Sequence, residues 1–126
     1  MAIAGNTGIR RIVNAMFFSV AGLRTAWQNE AAFRQECMVC VVLIPAAFWL
    51  GENAVEISLL VGSCLLVLIV ELLNTAVEFV VDRVGTDHHR LSGQAKDLGS
   101  AAVFVSVGLT GVVWGLIAWA RFAPAG

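Results

Sequence analysis

The apolar residues near the start of the chain recur at spacings of three and four residues. They are Ile9, Ile12, Val13, Met16, Phe17, Val20, Leu23 and Trp27. This spacing places them on one side of an α-helix, with Arg11, Asn14 and Thr25 on the other. The pattern predicts an amphipathic helix over 8–29. Its modest overall hydrophobicity favours a position in the membrane interface, parallel to the bilayer.

Three later segments are more continuously apolar and predict transmembrane helices over 31–50, 57–81 and 97–119. A helix needs about 20 residues to cross the hydrocarbon core. A tight turn at 51–54 and a polar loop over 82–96 separate the three segments. The sequence therefore predicts an all-α membrane protein, a single domain over 1–126 with one surface helix and three transmembrane helices.

The composition agrees with a membrane protein, since 59% of the residues are hydrophobic and 13% are charged. Soluble domains average about 45–50% apolar and 25% charged residues. The formal net charge of −1 gives no reason to expect a nucleic acid partner. Cys37 and Cys40 form a CxxC spacing, but without a second pair nearby they are expected to be small structural residues.

The distribution of arginine and lysine predicts the orientation. The N-terminal region and the second loop carry almost all of them, whereas the first turn has none and the C-terminus has Arg121 alone. The positive-inside rule places the N-terminus and the 82–96 loop in the cytoplasm, and the C-terminus outside.

An acidic stripe runs along the second transmembrane segment, through Glu71, Asn74, Glu78 and Asp82. Their spacing puts them on one helix face. A charged residue at membrane depth costs roughly 2.5–3.5 kcal/mol or more, so it indicates a functional site. Glu71 could serve as a general base for a lipid hydroxyl. The alternative is a structural hydrogen bond, with Asn74 or Ser100 as partner.

Other polar residues extend this site toward the cytoplasm. Glu30 and Glu78 could share Mg²⁺, or they could instead pair with arginines, namely Arg24, Arg34 or Arg83. Lys96 could bind a phosphate or extend its ammonium to the membrane surface. The chain has no glycine-rich phosphate-binding loop. His88 and His89 are expected in a solvated loop, where they could also touch a nucleotide or a metal.

Four stretches of this sequence resemble the prokaryotic integral-membrane diacylglycerol kinases. They are Glu30-Ala-Ala-Phe-Arg-Gln-Glu36, Val70-Glu-Leu-Leu-Asn-Thr-Ala-Val-Glu78, Val81-Asp-Arg83 and Leu91-Ser-Gly-Gln-Ala-Lys-Asp-Leu-Gly-Ser-Ala-Ala102. The resemblance covers the chain from Gly8 to Trp119. It implies a homotrimeric helix bundle in the bacterial inner membrane, with active sites shared between subunits. The implied reaction moves the γ-phosphoryl of MgATP to diacylglycerol, giving phosphatidic acid.

The resemblance also implies roles for individual residues. Glu71 is the implied base, and Glu30 and Glu78 are the implied Mg²⁺ ligands, with Glu36 near the nucleotide. The residues implied to bind ATP are Arg11, Phe18, Glu30, Glu78, Asp87, His89, Lys96 and Asp97. Those implied to bind the lipid are Arg11, Ser19, Glu71, Asn74, Ser100 and Trp114.

Several positions depart from the enterobacterial pattern of this family. Phe18 and His88 stand where tyrosines are expected, which bears on nucleotide affinity and selectivity. Some members of the family phosphorylate undecaprenol, so that lipid is an alternative acceptor. A small proton-coupled transporter is the alternative from a different class, because such a protein also uses an intramembrane glutamate.

Overall fold

The computed structural model describes residues 7–85 and 87–124 and contains four α-helices within them. These are α1 (Gly8–Asn29), α2 (Ala31–Leu50), α3 (Ala54–Val84) and α4 (Arg90–Phe122). Neither range contains a β-strand. The helices α2, α3 and α4 are each long and apolar enough to cross a membrane. The predicted fold class, an all-α membrane protein, is therefore confirmed.

Single residues set the helix boundaries at both ends of the bundle. Glu30 alone separates α1 from α2, and its extended backbone (φ −121°, ψ 106°) breaks the helical path there. At the opposite end, the Asn53 side chain accepts a hydrogen bond from the Glu56 N–H at 2.9 Å and begins α3. An Asn at this position satisfies a backbone donor that the first helical turn would leave unpaired.

The connection between α3 and α4 is shorter than the polar loop predicted over 82–96. The helix α3 continues to Val84, and α4 already begins at Arg90. His89 starts α4, because its Nδ1 accepts a hydrogen bond from the Leu91 N–H at 3.1 Å. The polar composition of 90–96 reflects helical turns beyond the apolar segment, not a change of secondary structure.

The central helix of the bundle is α3, which packs most extensively against α4 and then against α2. The apolar core, built on Ala47, Leu50 and Leu60, lies at the end where α2 turns into α3. Trp114 Nε1 donates to the Leu60 carbonyl at 3.2 Å, and Arg121 Nη1 donates to the Leu50 carbonyl at 3.0 Å. These contacts fix that end of the bundle, whereas Glu71, Asn74 and Thr75 are buried in the other half of α3.

The apolar stripe of α1 is not covered by the rest of the chain. Ile9 is 80% exposed and Phe17 is 71% exposed, and the other large apolar residues of the stripe are also exposed. An uncovered apolar face of this size needs a nonaqueous environment or a partner. A membrane surface provides one, as the amphipathic pattern predicts.

Candidate active site

Glu71 lies inside the helix bundle and is surrounded by other acids. Its side chain belongs to α3 and is only 5% exposed. Its carboxyl group lies within hydrogen-bonding reach of the Glu36 carboxyl on α2, and the charges of Glu30 and Glu78 also act on it. Charges from α3 and from the α1–α2 junction thus act on one buried carboxyl group, which also faces an acid of α2.

Asn74 lies one turn from Glu71 and contacts Glu78. Its Nδ2 donates to Glu78 Oε1 at 3.2 Å, and the residue is 9% exposed. The Asn74 Oδ1 is buried and has no hydrogen-bond partner among the residues described. Asn74 and Ser100 are the two structural hydrogen-bond partners predicted for Glu71. The Asn74 amide nitrogen instead donates to Glu78, and Ser100 is exposed.

A polar pocket of about 560 Å³ lies where α3 gives way to α4. Lys96 lines this pocket, and its Nζ forms an ion pair with Asp82 Oδ1 at 2.8 Å. The Lys96 ammonium also lies close enough to Glu78 for the two charges to interact. Three of the residues predicted to bind ATP share this pocket, namely Asp87, His89 and Lys96. The structure therefore joins the polar pocket to the acidic stripe through Asp82 and Lys96.

A second, mostly apolar groove of about 500 Å³ separates α1 from α3. Ser19 lines it from α1, and its hydroxyl donates to the Ala15 carbonyl at 2.8 Å. Thr75 lines it from α3, one turn beyond Glu71, and its buried Oγ1 has no hydrogen-bond partner among the described residues. The groove offers apolar walls with three hydroxyl-bearing residues, Ser19, Thr25 and Thr75, which suits a lipid.

The donor set near Glu78 is compatible with Mg²⁺. Within the described part of the chain, no three His, Cys, Asp or Glu side chains form a cluster that could hold a metal by themselves. Mg²⁺ usually binds one or two carboxylates and completes its shell with water and substrate phosphates. Glu30 and Glu78 are carboxylates of this kind, and the charge of each acts on Glu71.

The alternative of arginine pairing for these acids finds no support where the structure is described. The ion pair between Lys96 and Asp82 is the only one in 7–85 and 87–124. Arg34 instead donates to the Trp27 carbonyl at 2.6 Å and thereby ties α2 to the end of α1. Glu30 and Glu78 remain available for another cation.

Some predicted site residues lie apart from the acids. Trp114 is part of the apolar core at the opposite end of the bundle, where it bonds to Leu60. Leu60 precedes Glu71 by 11 residues, which is about 16 Å along a helix. The structure therefore does not bring Trp114 to the Glu71 region. Four others have exposed side chains: Arg11, Phe18, Asp97 and Ser100.

Two residues of the site have positions or roles that the sequence interpretation did not give. Glu36 faces Glu71 and is not among the residues that line the polar pocket. Thr75 was not predicted as a site residue, although its spacing of four from Glu71 puts it on the same helix face. That spacing was a usable signal for Thr75. The pairing of Glu36 with Glu71 depends on how α2 packs on α3, which a local pattern does not encode.

The cysteines form no disulfide. Cys37, Cys40 and Cys64 carry free thiols, and the last two are buried between α2 and α3. Cys40 Sγ lies 3.9 Å from the Cys64 carbonyl oxygen. Their positions agree with the structural role expected for the CxxC spacing.

These features define a class of protein: a small polytopic α-helical membrane protein with an acidic helix face that runs from an apolar groove to a polar pocket. The sequence profile of prokaryotic diacylglycerol kinase matches residues 17–118. The chain is 52% identical to a diacylglycerol kinase of Haemophilus influenzae over 86% of this chain and 92% of that relative. It is 47% identical to a diacylglycerol kinase of Escherichia coli K12, over 92% and 95% of the two chains.

A third relative, a diacylglycerol kinase of Pseudomonas aeruginosa, is 51% identical over 90% of this chain and 92% of its own. The chain belongs to the prokaryotic diacylglycerol kinase family. The predicted family is confirmed, and with it the prediction of an ATP-dependent lipid kinase. Family membership also favours a kinase over the proton-coupled transporter.

Proposed function

We propose that this protein transfers the γ-phosphoryl group of MgATP to the hydroxyl of diacylglycerol, giving phosphatidic acid, with Glu71 as the general base. The observation that carries the proposal is the continuous polar stripe on α3. It leads from the buried Glu71, beside the apolar groove, to Asp82 in the polar pocket. A membrane lipid and a water-soluble nucleotide need such an arrangement to meet.

The positions of Glu71 and Glu78 along α3 support separate places for the lipid and the nucleotide. Glu71 follows Ala54, the first residue of α3, by 17 positions and Glu78 by 24. These spacings correspond to about 25 Å and about 36 Å of helix. The hydrocarbon core is about 30 Å thick. With Ala54 near the outer boundary, Glu71 lies just inside the cytoplasmic edge of the hydrocarbon, and Glu78 lies among the headgroups.

In the proposed step, the lipid oxygen forms a bond to the γ-phosphorus, and the bond from that phosphorus to the bridging oxygen of ADP breaks. The proton of the lipid hydroxyl passes to the Glu71 carboxylate. The Glu36 carboxyl group lies within hydrogen-bonding reach of Glu71. Catalysis of phosphoryl transfer rests mostly on positioning and charge neutralisation. The lipid hydroxyl cannot move far out of the bilayer, so a base at the depth of Glu71 can reach it.

The nucleotide is proposed to occupy the polar pocket at the start of α4. There Lys96 contributes a positive charge to the phosphates, and Asp87 and His89 lie around them. Glu30 and Glu78 are proposed to bind Mg²⁺, which when present would neutralise phosphate charge. Arg11, Phe18 and Asp97 remain proposed ATP contacts on the strength of the resemblance.

The lipid is proposed to occupy the groove between α1 and α3. Ser19 and Thr75 lie along its walls. Asn74 and Ser100 remain proposed contacts near its polar end. Diacylglycerol is the proposed acceptor because all three relatives described above carry that name. Undecaprenol is the acceptor to test against it.

The assembly and orientation are also proposals. Because large apolar side chains remain exposed on α2, α3 and α4, further helices or lipid must cover them. We propose a homotrimer with shared sites, as the resemblance implies, in the bacterial inner membrane. The arginine and lysine distribution supports a cytoplasmic N-terminus and an external C-terminus.

One assay tests the proposed function. The purified protein in lipid vesicles receives γ-labelled ATP, Mg²⁺ and either diacylglycerol or undecaprenol, and the labelled lipid is identified. We expect labelled phosphatidic acid at a rate well above that of undecaprenyl phosphate. No labelled phosphatidic acid under any divalent metal condition would refute the proposal. Faster labelling of undecaprenol would reassign the acceptor.

A further inference from the structure

Gly99 on α4 lies directly against the amide of Asn74 on α3. A Cβ added at Gly99 would overlap Asn74 Oδ1, and it would come within 3.2 Å of Asn74 Cγ. The amide oxygen thus occupies the space where any other residue would place its Cβ. Gly99 lies inside the helix α4, so a requirement for unusual backbone angles does not explain a glycine at this position.

The position of this amide also determines the hydrogen bond that Asn74 makes with Glu78. Nδ2 donates to Glu78 Oε1 at 3.2 Å, so one side-chain orientation places the oxygen over Gly99 and the nitrogen on Glu78. No hydrogen bond holds Oδ1 among the described residues. A methyl group at 99 would therefore displace the amide, because the space beside α4 is what permits this orientation.

We infer that Gly99 is a positioning residue: its missing side chain lets Asn74 orient Glu78 for the metal and the nucleotide phosphates. The inference rests on the proposed metal role of Glu78. Partners that orient metal ligands typically contribute about 10- to 100-fold in metal affinity or activity. A substitution at Gly99 acts on Glu78 through Asn74, without touching substrate itself.

The central test is a double-mutant cycle of Gly99→Ala and Asn74→Ala. We expect Gly99→Ala alone to raise the Mg²⁺ concentration for half-maximal activity by about 10- to 100-fold. In the Asn74→Ala background the same change should have almost no effect. The overlapping oxygen is then gone, and Asn74 Cβ lies 3.8 Å from the added methyl group, an ordinary contact distance. An equal loss in both backgrounds would overturn the inference.

A binding measurement separates this inference from the proposed function. Electron paramagnetic resonance measures free Mn²⁺, used in place of Mg²⁺, with the protein and a nonhydrolysable ATP analogue. Weaker Mn²⁺ binding by Gly99→Ala, and by Asn74→Ala to a similar extent, supports the inference even if another lipid is the acceptor. Unchanged Mn²⁺ binding in Gly99→Ala would overturn it, whatever the activity of the parent protein.

The matched control is Gly108→Ala, also inside α4, where an added Cβ meets nothing within 4 Å. Its metal dependence should equal that of the parent protein. Thermal unfolding and size-exclusion chromatography report the folding of every variant. If Gly99→Ala alone fails to fold, a folded Asn74→Ala/Gly99→Ala variant supports the contact, whereas an unfolded one overturns it.

Discussion

Replacement of Glu71 by glutamine tests the base directly, because it removes the charge and basicity of the side chain while keeping its size. Loss of a general base typically costs about 10²- to 10⁴-fold in rate. Since Glu71 is only 5% exposed, bulk water has little access to take over the proton, and we expect the upper part of that range. This corresponds to about 4–5 kcal/mol of activation free energy.

The same substitution should not weaken the fold. Glu36 Oε2 is buried without a hydrogen-bond partner, and an amide at 71 could donate to the Glu36 carboxyl group beside it. A hydrogen bond to a charged group contributes about 1.5–3 kcal/mol, and the change also removes an acid from an acidic cluster. We therefore expect Glu71→Gln to unfold at the same temperature as the parent protein or at a higher one.

The assay is steady-state phosphorylation of diacylglycerol in mixed micelles at varied ATP, with thermal unfolding of the same samples. We expect kcat to fall and the KM for MgATP to stay within about threefold, because a base acts in the transition state without binding the nucleotide. Glu52→Gln, at the exposed turn before α3, is the control and should match the parent protein. Lost nucleotide binding in a folded Glu71→Gln variant would refute the base role and move Glu71 to the metal site.

Four further substitutions test the rest of the site. Glu30→Gln and Glu78→Gln should each raise the Mg²⁺ midpoint by about tenfold or more, and unchanged titrations in both would remove them as ligands. Lys96→Ala should raise the KM for ATP and leave the thermal stability almost unchanged, because its ion pair with Asp82 is exposed. An unchanged KM for ATP would exclude a phosphate contact. Ala76→Phe should fill the groove and raise the KM for diacylglycerol but not for ATP, and equal effects on both substrates would argue against a lipid site there.

Much of the fold follows from the sequence because hydrophobic periodicity and segment length are local properties. The single-residue junction at Glu30 lies between the predicted surface helix and the first apolar segment. The stripe from Glu71 to Asp82 is likewise a property of one helix, so its face could be predicted without knowing any neighbour. Family resemblance added proposed roles for residues whose local pattern allowed more than one interpretation.

The contacts that complete the site join different helices, and local patterns do not specify them. Glu36 against Glu71 depends on the packing of α2 on α3, and Gly99 against Asn74 depends on the packing of α4 on α3. The start of α4 was missed for another reason. Polar residues in 90–96 were interpreted as a loop, although a helix can extend beyond the bilayer with a polar surface.

The length of α3 explains how one helix can place residues both inside the hydrocarbon core and outside it. Its 31 residues span about 46 Å, well beyond the hydrocarbon thickness of about 30 Å. In the proposed orientation, the excess carries Glu78 and Asp82 out of the hydrocarbon while Glu71 stays in it. If α3 ended at the membrane surface, the proposed ligand Glu78 and the proposed base Glu71 would have to come from separate elements, whose relative position would vary with their packing. On a single helix the separation of Glu71 from Glu78 is fixed at about 10 Å by helical geometry, and the adjacent α2 and α4 need only orient the side chains.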